Sequence, residues 1–174
     1  MKKFFLLLTL VLMPLTSFAQ EQAASASDAK QINMGNWEIG GEASYFQTND
    51  GDDWAIYASP RLEYFFLNRF SAGGRAIYRD GNRISTETSF GPSLTYYFAT
   101  METSALYVDQ SVLFVNPAGA DDNYFAGETG LGWDYFLSPT VALGPSIRGV
   151  YYFNGGTGVP EGGLAFRVAL SIFL

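Results

Sequence analysis

From Leu164 to Leu174 every second residue is large and apolar: Leu164, Phe166, Val168, Leu170, Ile172 and Leu174. Between them stand Ala165, Arg167, Ala169 and Ser171, which are small or charged. A period of two is the mark of a β-strand with two unlike faces. Here a full apolar stripe opposes small residues and an arginine. That is the pattern of a strand whose outer face meets lipid and whose inner face meets a polar lumen. The rest of the chain is read around this strand.

The N-terminus supplies a route to a membrane. Lys2 and Lys3 precede the apolar run Phe4 to Met13, Pro14 closes it, and Ser17-Phe18-Ala19 offers the small residues a signal peptidase reads. Residues 1–19 are therefore expected to be a cleaved signal peptide. The run is too short for a membrane-spanning helix, which needs about 20 apolar residues. Residues 20–33, small and polar without periodicity, read as a flexible lead-in. Residues 34–174 then form one domain.

Within that domain an internal repeat recurs. Pro60 to Ser71, Pro92 to Thr103 and Gly130 to Val141 are its copies, opening on Pro60-Arg61-Leu62-Glu63-Tyr64-Phe65-Phe66, Pro92-Ser93-Leu94-Thr95-Tyr96-Tyr97-Phe98 and Gly130-Leu131-Gly132-Trp133-Asp134-Tyr135-Phe136. Each is an alternating strand ending in aromatics, followed by a short polar turn and another alternating strand: one hairpin per repeat. The connections between copies, 48–53, 80–83, 116–122 and 154–161, are longer and rich in Asp, Asn and Gly. Strands are expected near 36–47, 54–66, 70–79, 84–98, 103–115, 123–136, 141–153 and 162–174. Eight antiparallel strands can close into a barrel with no sheet edge, with short periplasmic turns and longer extracellular loops.

Charge sets the register. Arg61, Arg75, Arg148 and Arg167 each sit mid-strand among apolar alternate neighbours. Facing lipid at the midplane each would cost about 2–4 kcal/mol. Facing inward they meet acids of the same parity: Glu38, Glu42, Glu63, Asp109, Glu128 and Asp134. Together these ten residues are the expected lumen charge network. The outward stripes that remain include Ile56, Ala58, Leu62 and Tyr64; Phe90, Leu94, Tyr96 and Phe98; Leu131, Trp133 and Tyr135; and Val141, Leu143, Ile147, Tyr151 and Phe153. Gln110 interrupts the outward set of the fifth strand.

Aromatics gather at both strand ends. Tyr64, Phe66, Tyr96, Phe98, Tyr135 and Phe136 mark the turn side; Tyr45, Trp54, Tyr78, Phe114, Phe125, Tyr151 and Phe153 mark the loop side. Two girdles flanking an aliphatic band suit a membrane interface. A soluble sandwich would place the arginines outside and would need no such bands. Pro60, Pro92 and Pro145 fall inside strands and cannot donate to a ladder, so a bulge or a local break in pairing is expected there.

With the terminal strand, the repeated Pro-x-Leu hairpins and the leader in place, the chain resembles the small eight-stranded outer-membrane β-barrels: the OmpX, opacity-protein and OmpA transmembrane-domain group. The likeness covers about Asn36 to Leu174. It implies residence in the outer membrane of a Gram-negative bacterium, as a monomer among lipid and lipopolysaccharide. It also implies insertion by the barrel-assembly machinery, which in that family reads a last strand ending in an aromatic residue. Here the corresponding assembly signal is Phe166, Val168, Leu170, Ile172, Phe173 and Leu174, with the aromatic in the penultimate place.

Composition narrows the chemistry. The chain has no histidine and no cysteine, which removes Ser-His-Asp and Cys-His nucleophiles and the ordinary zinc site. Paired carboxylates remain possible acid–base groups, but the inward acids are matched by inward arginines, as in a structural ion network. No catalytic residue, metal site or cofactor is expected. The formal net charge of −7 becomes more negative when Lys2 and Lys3 leave with the leader, which argues against nucleic acid. Asn49-Asp50-Gly51-Asp52-Asp53 has oxygen ligands at short spacing, as do Asp121 and Asp122. Neither has the spacing of a calcium loop, so both read as solvated turns.

The expected function is therefore non-enzymatic: a structural, adhesive or surface-interaction role through the loops. The alternative is a narrow porin-like or small-ligand transport barrel, suggested by Gly40, Gly73, Gly91, Gly130, Gly132 and Gly144 on the lining. A soluble periplasmic ligand-binding barrel is a third, weaker reading.

Overall fold

The computed structural model describes residues 31–47, 54–82, 86–118, 123–153 and 163–174. The leader, most of the lead-in and the acidic segments 49–53 and 121–122 lie outside the described residues. Eight strands follow in order: β1 (Trp37–Gln47), β2 (Trp54–Leu67), β3 (Phe70–Gly81), β4 (Glu87–Thr100), β5 (Ser104–Pro117), β6 (Tyr124–Ser138), β7 (Val141–Phe153) and β8 (Gly163–Phe173). Each pairs antiparallel with its chain neighbours, and β1 pairs with β8 to close the barrel.

The side-chain distribution is inverted relative to a soluble fold. Large apolar residues such as Leu131, Leu143, Ile147, Val168 and Leu170 are exposed, whereas Arg148, Glu38, Glu63 and Glu128 are completely buried. Only lipid makes that arrangement favourable, because the apolar face meets a non-aqueous solvent and the mid-strand charges are turned inward. The outward aromatics line up across strands. Phe90, Phe114, Phe125 and Phe153 are successive partners from β4 to β7, and Phe70 stacks on Tyr96 at 4.3 Å on the turn side. Phe136 departs from the expected girdle. It turns inward and packs on Phe173 at 5.6 Å. Gln110 keeps its outward place, opposite Leu94 on one side and Thr129 on the other.

The three prolines break pairing without changing register. On the β2–β3 ladder the partners run from Ala58↔Tyr78 to Arg61↔Arg75, skipping Ser59 and Pro60. The same gap passes Gly91 and Pro92 on β4–β5, and Gly144 and Pro145 on β6–β7. Each proline lacks the N–H that one neighbour would accept, while its other edge stays in ladder, Pro60 with Gly41 and Pro145 with Val168. The register shifts lie elsewhere, at Phe65/Leu67, Tyr97/Ala99 and Phe136/Ser138. These are the turn ends of the three repeats. An extra residue there sets two successive side chains, Phe66 and Leu67, on the outer face, as a bulge does.

The first tight turn is stitched to the segment before β1. Arg69 adopts φ 69°, its N–H donates to the Ile32 carbonyl at 3.0 Å, and its carbonyl accepts from Tyr97 N–H at 2.9 Å. Ile32 is only 1% exposed. Residues 31–33, which sequence assigns to the lead-in, are thus built into the turn-side mouth of the barrel.

At the pre-proline glycines the backbones approach closely. A Cβ on Gly144 would lie 1.5 Å from the Trp133 carbonyl oxygen, and one on Gly91 would lie 1.9 Å from that of Val112. Gly144→Ala must push β7 off β6, a cost of about 1–3 kcal/mol for overpacking. The urea midpoint of the lipid-refolded protein should fall accordingly; an unchanged midpoint would show that the two strands separate freely.

Candidate functional site

Among the described residues, the fold concentrates its charged and polar side chains in the lumen. Alternation puts a polar residue of every strand on the inside, and strand stagger stacks them in three layers.

The middle layer is an ion cluster. The Arg148 guanidinium bonds both Glu42 and Asp109, with Nε 2.7 Å from Glu42 Oε2. Arg167 reaches Glu42 at 3.2 Å and Glu128 at 3.1 Å. Arg75 lies 3.5 Å from Asp109 and from Glu128. Ser146 donates to Glu42 at 3.0 Å. The cluster therefore spans β1, β3, β5, β6, β7 and β8. Burying such charges is tolerable only when each carboxylate is met by guanidinium or hydroxyl donors, and the cluster supplies them.

The turn-side layer holds Glu38, Arg61, Glu63 and Asp134. Arg61 pairs with Glu38 and donates to Ser171 at 3.1 Å. Glu63 accepts from Ser71 at 2.6 Å and Ser93 at 2.7 Å, so hydroxyls serve it where an arginine is expected. The Tyr97 hydroxyl lies between Glu38 and Asp134, at 3.0 and 3.2 Å. Below this layer Ile32, Phe65, Tyr97, Tyr107 and Phe173 form an apolar floor, with Phe136 packed against it.

The loop-side layer was not legible as part of the network. Arg79 donates to the Tyr152 hydroxyl at 2.7 Å and pairs with Glu128 at 3.2 Å and Glu87 at 3.3 Å. Glu87 also accepts from the Tyr124 hydroxyl at 2.8 Å. Both residues share the inward parity of Arg75 and Ser89. Both lie inside the expected strands 70–79 and 84–98, but their place beside the predicted loop 80–83 left them out of the expected network.

Two of the glycines on the lining face large side chains. A Cβ on Gly130 would fall 2.4 Å from Arg148 Nη1, and one on Gly132 would fall 2.2 Å from the Tyr107 ring. Their missing side chains make room for a guanidinium and a phenol. In the terminal strand, Phe166, Val168, Leu170, Ile172 and Leu174 are exposed in one stripe, while Phe173 is buried in the floor.

No family model matches the chain, and no curated protein matches it in sequence. Solved structures do match its fold. The N-terminal β-barrel domain of Pseudomonas aeruginosa OprF superposes with a TM-score of 0.59 at 15% identity, covering 81% of this chain and 98% of that one. Neisserial surface protein A superposes with a TM-score of 0.56 at 14% identity, covering 80% and 94%. The fold is that of the eight-stranded outer-membrane barrels.

Arg148 holds the middle layer from its centre. Arg148→Leu leaves Glu42 and Asp109 facing each other without their shared partner, and losing one member of a buried ion cluster costs about 3–5 kcal/mol. The variant should unfold at clearly lower urea than wild type by tryptophan fluorescence. A wild-type midpoint would mean that Arg75 and Arg167 suffice for both acids.

Proposed function

We propose that this chain is a non-enzymatic integral barrel of the Gram-negative outer membrane whose working surface is its extracellular loops, in a structural, adhesive or surface-interaction role. The observation that carries the reading is the filled lumen. Three layers of paired charges and phenols stand above an apolar floor closed by Ile32, Phe65 and Phe173. An eight-stranded barrel has room inside for side chains or one small ligand, and here side chains occupy it. A solute crossing from loop side to turn side would have to part the Arg148 cluster and then the floor.

The remaining features of the reading follow from the same architecture. The apolar belt calls for lipid and, on the outer side, lipopolysaccharide. The wall closes on itself, which supports a monomer. The exposed stripe of β8 is the surface on which the barrel-assembly machinery would act. The leader at residues 1–19 would deliver the chain across the inner membrane.

Two measurements test this. The protein should sediment with the outer-membrane fraction and change gel mobility on boiling, and after refolding it should be silent in planar bilayers. Stepwise conductance of the wild type would overturn the filled-lumen reading in favour of transport, and turnover of a lipid or peptide substrate by purified protein would overturn the non-enzymatic one.

A further inference from the structure

Among the described residues, one seam of the wall is incomplete. The β1–β8 ladder runs from Glu38↔Phe173 to Ala43↔Val168. β1 continues to Gln47 in register with β2, and β8 begins at Gly163 in register with β7. The loop-side ends of these two strands are thus each held by their other neighbour. Leu164 and Phe166 are 78% and 75% exposed, more than any other large apolar residue described. That exposure is what the loss of an adjoining strand produces.

A cavity of about 290 Å³ lies at this seam. Its lining comes from both sides of the wall: Ile56 and Leu164 from the lipid face, and Tyr57, Arg79, Tyr152 and Arg167 from the lumen. A cavity lined by both faces passes between the strands. Its inner end presents two guanidinium groups, and no carboxylate is among its lining residues. Glu87, Glu128 and Glu42 pair with those arginines from outside the lining, and the Arg79 side chain remains 18% exposed. Tyr57 is 9% exposed, its hydroxyl has no protein hydrogen-bond partner, and Arg167 lies over its ring at 3.7 Å. The outer end is wholly apolar. Cationic and hydrogen-bonding groups within, and an apolar exit to the bilayer, fit one kind of molecule.

We propose that the β1–β8 seam is a binding site for a single-chain anionic amphiphile. Its carboxylate or phosphate lies against Arg79 and Arg167, and its alkyl chain leaves between the strands along Ile56, Leu164 and Phe166. The volume, at the low end for a ligand pocket, takes a headgroup and its first methylenes, and the remainder of the chain covers the strand edge. The Arg148 cluster closes the inner side, which makes this a site and not a path.

Amide shifts of the mature protein in phosphatidylcholine nanodiscs provide the test, with dodecanoate, dodecyl phosphate, dodecanol and inorganic phosphate as probes. Both anionic amphiphiles should produce saturable shifts centred on Ala55, Gly163 and Ala165. Dodecanol, lacking the charge-assisted bonds, should bind about tenfold more weakly, and inorganic phosphate should leave these amides unmoved. Arg79→Gln should weaken dodecanoate about tenfold, and Ala165→Phe, filling the cavity, should abolish saturation. Heat-modifiable mobility confirms that each variant is folded, and either variant alone is sufficient. Equal binding of dodecanol and dodecanoate, shifts spread evenly around the girdles, or the same shifts with inorganic phosphate would overturn the proposal.

Discussion

The middle of this barrel is organised by the contact between the Arg148 guanidinium and the carboxylates of Glu42 and Asp109. In a soluble domain the interior is organised by apolar burial, which is non-directional. Here the apolar surface faces lipid and supplies no preference for one strand order over another. Specificity has to come from the lumen, where charges must be matched individually or remain buried and unpaired. Arg148 on β7 meets Glu42 on β1 and Asp109 on β5, strands that do not adjoin it. Only a closed barrel brings those three side chains together.

The same requirement explains the placement of small residues. Gly130 leaves room for the Arg148 guanidinium and Gly132 for the Tyr107 ring. A narrow barrel cannot give every inward position a side chain and also hold a layer of arginines, so large and small residues must alternate around the lining. Gly130 and Gly132 are therefore signs of packing. The Pro-Gly pairs of β4 and β7 act on the wall instead. They interrupt one ladder and bring the backbones close, which curves the strands.

How much of this was legible in the sequence follows from what alternation encodes. Period two assigns each residue to a face. It therefore placed Arg61, Arg75, Arg148 and Arg167 with their acids before any contact was known, and it found all eight strands. It does not encode which inward residues share a layer. That Glu63 is served by Ser71 and Ser93, and that Tyr97 stands between Glu38 and Asp134, depend on strand stagger. Ends were the weak point. The turn-side bulges shift the face assignment beyond Phe66, and the polar composition after Tyr78 concealed Arg79. Ile32 belongs to a stretch without periodicity, so nothing marked it as part of the floor. The inward turn of Phe136 was written in its parity, but its aromatic character pointed to a girdle.

The two ends of the lumen are closed by different physics, and that asymmetry bears on how the barrel works. The turn-side floor is apolar and continuous, held by Ile32 through the Arg69 turn and by Phe173 from β8. It needs no water and no counter-ion, and it couples the segment before β1 to the last strand. The loop-side end is polar, shared between Arg79, Glu87, Tyr124 and Tyr152, and beside it β1 and β8 diverge. β1 and β8 are joined to each other by no turn, so their seam rests on the ladder and on side-chain contacts alone. The Glu42–Arg167 ion pair stands behind the loop-side limit of that ladder, Ala43↔Val168, so the ion cluster of the lumen ties β1 to β8 next to the place where their pairing stops.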